Sequence, residues 1–254
     1  MKEISIQIIP QLTDNYSYIL KSNSSSSIII IDPAESVSHI EYIKKNNSSL
    51  DSIFLTHHHY DHVGGVKEIL KEFPHVKVFS PNFSIDGTTH ILSDNLKITT
   101  KLNEFISIST PGHTLEHMIL YDQRNSILFS GDTLFRLGCG RIFEGTFQQM
   151  FNSLNKINNF PDSTKIYCGH EYTMKNLSFL ESQFDNFKIF ELERNKIEKQ
   201  FSINNCTIPF SLNEEKKINP FLNPSSSYFD NFKKKYNFSN FEMFKFLREN
   251  KDVF

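Results

Sequence analysis

The sequence has no tryptophan, only three cysteines and almost no net charge. Cys139, Cys168 and Cys206 are scattered and odd in number. They form neither a C-x-x-C zinc motif nor a disulfide framework, so a reducing compartment is expected. The 27 basic and 29 acidic residues nearly cancel, which leaves no electrostatic footprint for nucleic acid or a membrane surface. A local basic patch for a small anion remains compatible with that balance. No apolar run is long enough to span a bilayer. Lys2 and Glu3 lead straight into a strand-like stretch at 4–9, with no signal core and no Arg-rich leader. A cytoplasmic protein is expected, with an organelle open if a leader is removed.

The composition leans instead towards Ile, Lys, Asn, Ser and Phe, with 25 Phe, which reads as coding bias on an ordinary globular chain. Asn/Ser clusters at 22–27 and 46–49 fall between periodic segments, where surface loops tolerate drift. The length of 254 residues allows one large α/β domain and a smaller appendage. Short apolar runs at 28–31, 53–55, 76–79, 105–108, 119–121, 127–129 and 166–168 are strand-length and bounded by Asp, Gly, Pro or Ser. Their near-continuous apolarity suits strands buried on both faces, with helices covering the sheets. Helical patterns intervene at 37–45, 66–73 and 147–157, the last with Thr146 as its N-cap. Beyond Tyr172 the pattern becomes helical, at 174–184, 187–201 and 241–248. The expected organisation is a catalytic α/β domain over 1–172 and a small helical domain over 173–254.

The chemistry concentrates at strand ends. Thr56-His57-His58-His59-Tyr60-Asp61-His62 follows the run at 53–55, and a tight loop there can aim several side chains at one place. H-x-H-x-D-H supplies imidazoles and carboxylate, the ligands of divalent first-row metals. His113, Asp132 and His170 each follow a glycine just beyond another strand-like run. Singly, His113 and His170 have a bland alternative as hydrogen-bonded loop residues and Asp132 as a turn or capping residue, while the cluster at 57–62 alone could be a structural zinc loop or a polar loop. Their recurrence in this order argues for a metal centre too rich in ligands for one closed structural site. His39, His58, His75, His90 and His117 lack that context and are assigned to solvent or structural hydrogen bonds.

This order of motifs resembles the metallo-β-lactamase superfamily, which implies an αββα sandwich carrying metals at one edge of its sheets. The likeness is closer to the glyoxalase II (hydroxyacylglutathione hydrolase) family. It rests on Leu12-Thr13-Asp14-Asn15-Tyr16, Thr56-His57-His58-His59, Gly131-Asp132-Thr133-Leu134-Phe135, Gly138-Cys139-Gly140, and Tyr167-Cys168-Gly169-His170-Glu171-Tyr172-Thr173. Asn219-Pro220-Phe221 and Arg248-x-x-Lys251-Asp252 extend it almost to the C-terminus. The resemblance implies two divalent ions, zinc foremost, with iron or manganese acceptable to the same ligands. His57, His59 and His113 would hold one, and Asp61, His62 and His170 the other. Asp132 would bridge them. The implied nucleophile is a hydroxide shared by the metals, so Asp61 and Asp132 act as ligands rather than free bases.

The implied reaction is hydrolysis of S-D-lactoylglutathione to glutathione and D-lactate, the second step of methylglyoxal detoxification. The implied partner is a small glutathione thioester bound by Arg141, Phe143, Tyr172, Arg248 and Lys251, with the protein a monomer or weak oligomer. From spacing alone, Arg248 and Lys251 read as a solvated pair on one helix face near a C-terminus. Only the resemblance makes them substrate residues. Two positions depart from the family. Phe143 replaces a common Tyr, removing a hydroxyl, and Leu115-Glu116 replaces small residues beside His113. Competing readings are a single-iron glutathione persulfide dioxygenase, a non-enzymatic binding module and a nuclease. Retention of all seven ligands argues against the module, and near-neutral charge against the nuclease.

Overall fold

The computed structural model describes residues 4–184 and 188–254. Lys2 and Glu3, and Phe187 at the start of the helix expected over 187–201, lie outside the described residues. The chain divides into two compact units, one formed by Met1–Ser109 and Glu116–Gly131, the other by Thr110–Leu115 and Asp132–Phe254.

The first unit runs β1 (Ile4–Gln11), β2 (Asn15–Ser22), β3 (Ser25–Ile31), α1 (Val37–Lys45), β4 (Ser49–Phe54), α2 (Tyr60–Val63), α3 (Val66–Glu72), β5 (Lys77–Ser80) and β6 (His90–Ile91). It continues through β7 (Leu96–Thr99), β8 (Glu104–Ser109), β9 (Met118–Asp122) and β10 (Ile127–Gly131). Strands β1 to β6 form one sheet in sequence order, antiparallel as far as β3 and parallel thereafter. Strands β7 to β10 form an antiparallel meander.

Alternation explains the layers. Ile28 and Ile30 of β3 join Ile19, Ile53 and Val78 against Ile43 of α1 and Ile69 of α3. Ile29 and Ile31, on the other face, are fully buried as well. There Tyr18 meets Phe129 at 5.2 Å and Phe54 meets Phe105 at 5.1 Å, so two sheets pack through aromatic rings. His39 is buried as a structural group, placed between Ser17 Oγ (2.9 Å) and the Glu35 carbonyl (3.0 Å).

The second unit holds β11 (Leu134–Phe135), β12 (Gly138–Cys139), α4 (Phe147–Asn158), β13 (Lys165–Cys168), α5 (Thr173–Gln183), α6 (Lys188–Asn204), β14 (Phe210–Ser211), α7 (Leu212–Ile218), α8 (Asp230–Tyr236) and α9 (Asn240–Val253). Thr146 caps α4 in a reciprocal box with Gln149, as its place before the apolar period predicts. All three cysteines are free and buried.

Candidate metal centre

Within the first unit the ligand candidates sit beyond the C-terminal end of β4. His57 and His62 are buried. The segment is not wholly the loop that the sequence suggests: His59 is extended and stands at the N-cap position of α2, so Asp61 and His62 stand on a helical turn. His57 Nε2 lies 3.1 Å from His59 Nδ1, and the His57 and His62 rings are 4.1 Å apart. Asn15 Nδ2 donates to the main-chain oxygen and to Oδ2 of Asp61, both at 3.0 Å.

Asp32 orients this set. It follows β3 in a left-handed conformation (φ 50°) that an Asp tolerates. Its carboxylate accepts from Thr56 N (2.8 Å), Thr56 Oγ1 (2.7 Å) and His62 Nδ1 (3.0 Å). With its own proton given to Asp32, Thr56 Oγ1 accepts from His57 Nδ1 at 3.0 Å. Both imidazoles thus carry their proton on Nδ1 and present an Nε2 lone pair, the form a metal ligand requires. Gly131, at φ 46°, is needed beneath this network because a Cβ there would sit 2.7 Å from Thr56 Oγ1.

Within the second unit, one oxygen organises the remainder. Asp132 Oδ2 lies 3.4 Å from His113 Nε2 and 3.3 Å from His170 Nε2. His113 Nδ1 donates to the Arg141 carbonyl at 2.8 Å, so neutral His113 turns a lone pair towards that carboxylate. Two acceptors facing one another call for a proton or a cation between them. This donor chemistry fits a divalent metal ion, and clusters of His and Asp side chains able to hold one are present. The Leu115-Glu116 departure leaves the support of His113 in place. Leu115 is exposed, its N–H donates to Glu144 Oε2 at 2.9 Å, and Phe143 N donates to the His113 carbonyl at 3.2 Å.

The expected substrate residues lie in the same unit. Tyr172 stacks on His170 with ring centroids 4.7 Å apart, and Phe143, 60% exposed, meets the His113 ring at 5.2 Å. Arg248 is buried rather than solvated, which overturns the reading from spacing. It donates to the Cys139 carbonyl and to Asp252 Oδ1, each at 2.9 Å, while its Nε has no acceptor among the described residues. Lys251 donates to Asn176 Oδ1, and its Nζ lies 5.6 Å from the Phe221 ring centroid, as the Arg248 guanidinium does at 5.8 Å. Burial, with Arg248 adding to it, pulls the Lys251 ammonium down to about 7. Arg141 Nε pairs with Asp252 Oδ1 at 3.1 Å.

Sequence reasoning missed Asp32 and Thr56, although the residue after the run at 28–31 occupies the same strand-end position as the other candidates. It also missed Glu215, whose Oε2 accepts from Leu137 N and Asn219 Nδ2, both at 2.8 Å, beneath the β11–β12 turn.

Comparison with known proteins sets these observations in a class first. The sequence model of the metallo-beta-lactamase superfamily matches residues 12–92 and 101–170. A metallo-beta-lactamase from Staphylococcus aureus shares the fold, with a TM-score of 0.66 at 19% identity over 98% of this chain and 71% of that one. Residues 171–254 match the model described as hydroxyacylglutathione hydrolase C-terminus. The hydroxyacylglutathione hydrolase of Citrobacter koseri is 43% identical over 220 residues, 86% of each chain. That of Aliivibrio fischeri is 40% identical over 226 residues, 88% of each. The chain belongs to the hydroxyacylglutathione hydrolase family, on the α/β metallo-β-lactamase fold with a helical C-terminal region.

Proposed function

We propose that this protein hydrolyses glutathione thioesters, S-D-lactoylglutathione above all, to glutathione and the hydroxy acid. The observation that carries the reading is the single Asp132 oxygen set between the Nε2 atoms of His113 and His170, in a chain of this family. In this reading His57, His59 and His113 would hold one divalent cation, Asp61, His62 and His170 would hold the second, and Asp132 would be a ligand to both. Zinc suits these donors, and so do iron and manganese. Bound there, such ions would supply an acidified water and polarisation of the thioester carbonyl.

The chain's own groups do the rest. Asp32 keeps His57 and His62 in the ligating tautomer, and the Arg141 carbonyl does so for His113. Arg141, Tyr172, Arg248 and Lys251, with the Phe143 ring beside them, bind glutathione, the basic pair belonging to a substrate-binding region over 173–254. Asp252 braces both guanidinium groups. The leaving thiol titrates near ~8.5, so no side chain needs to act as a strong acid towards it. Free, buried cysteines support action in a reducing, cytoplasmic setting, and no helix among the described residues is long and apolar enough to cross a membrane. The test is an Asp132→Ala variant assayed with bound metal quantified. Loss of turnover together with loss of metal is expected, and a fully active, metal-replete variant would refute the bridging role.

A further inference from the structure

Two short stacks of side chains flank Asp132 in the second unit. In one, the Phe143 ring packs edge-on against His113, and the Arg141 guanidinium lies 5.9 Å from the Phe143 centroid. In the other, Tyr172 lies parallel to His170, within 5°, and Lys175 Nζ lies 5.7 Å from the Tyr172 centroid. Each runs imidazole, aromatic ring, cation, and both imidazoles turn Nε2 to the same Asp132 oxygen. Family resemblance covers Arg141 and Tyr172. It does not cover Lys175.

The cations differ in what already holds them. Asp252 takes both Arg141 and Arg248, and Lys251 is engaged with Asn176. Lys175 is exposed in the first turn of α5 and forms no ion pair among the described residues. A cation in the first turn opposes the helix dipole, so helix stability does not explain it. A tripeptide thioester of glutathione carries two carboxylates, and a cation at the rim of an aromatic wall suits one of them.

We propose that Lys175 is a further substrate-binding residue, holding one of the two glutathione carboxylates beside Tyr172. This rests on the glutathione-thioester reading above. The experiment uses the metal-loaded full chain, Lys175→Ala and Lys175→Arg variants, and two lactoylglutathione analogues, each with one carboxylate amidated. For an exposed ion contact, Lys175→Ala should raise KM about three- to five-fold at low salt with kcat unchanged, and Lys175→Arg should restore it. One amide should raise the KM of the native protein by a similar factor, with no further loss in Lys175→Ala. An unchanged KM in Lys175→Ala, or an equal penalty persisting on both amides, overturns the assignment. If the native protein neither cleaves lactoylglutathione nor binds S-methylglutathione, it is the glutathione reading itself that fails.

Discussion

At the scale of single residues, a ligand is made by what stands behind it. His57, His62 and His113 each spend Nδ1 on a protein oxygen, which fixes where the lone pair of Nε2 points. Phe143 shows the other side of the same economy. Its ring keeps the place beside His113 and under Arg141, but offers no hydroxyl. Phe143→Tyr should therefore lower KM for a glutathione thioester by about two- to ten-fold, the worth of one hydrogen bond, with kcat little altered. Steady-state kinetics showing no gain would place the ring outside the substrate's reach. The proposed ligands were legible in the sequence because imidazoles and carboxylates recur after apolar runs. Asp32 was not, because an Asp between a strand and a proline has the same appearance whether it ends a strand or aims two histidines.

At the scale of elements, legibility followed length. α1, α3 and α4 emerged within a residue or two of their expected ends because each repeats its apolar period at least once. The four-residue α2 and the two-residue strands β11 and β12 are too short to carry any period, so tertiary contacts define them. β11 and β12 depend on α7: Glu215 receives the N–H of Leu137, a non-glycine residue at φ 58°, and Asn219 Nδ2 donates to the Gly138 carbonyl at 3.2 Å. Burial pushes the Glu215 carboxyl up to about 7, against the hydrogen bond from Leu137 and the charge of Arg136. The folded acid keeps its proton to about pH 7, whereas the unfolded one releases it near 4.5. Stability from this group therefore declines as pH rises across that window. Glu215→Gln, which keeps an acceptor, should remove the decline, while Glu215→Ala should cost about 1–3 kcal/mol by orphaning two donors. Denaturant unfolding at pH 5 and pH 8 separates these outcomes; parallel losses for both variants would count against the titration.

At the scale of the whole molecule, the layered first unit constrains its own acid tolerance. His39 is held at about 4 by burial, opposed by its hydrogen bond to the Glu35 carbonyl, against 6.5 when free. Above about pH 6.5 it contributes nothing to pH dependence. As pH falls from there towards 4, the unfolded chain gains a proton that the folded one refuses, and stability drops by on the order of 3 kcal/mol. Urea midpoints across that range should fall for the native protein and fall less for His39→Gln; identical slopes would contradict the assignment. The fold class was legible because central strands such as β3, β9 and β10 are apolar on both faces, and the family because its motifs run nearly end to end.

The most direct test of a two-cation thioester hydrolase joins metal analysis to turnover on one preparation. The expected result is two divalent ions per chain, release of free glutathione thiol from S-D-lactoylglutathione, and little cleavage of a thioester lacking glutathione. One iron per chain, oxygen uptake with a glutathione persulfide and an intact lactoylglutathione would contradict it.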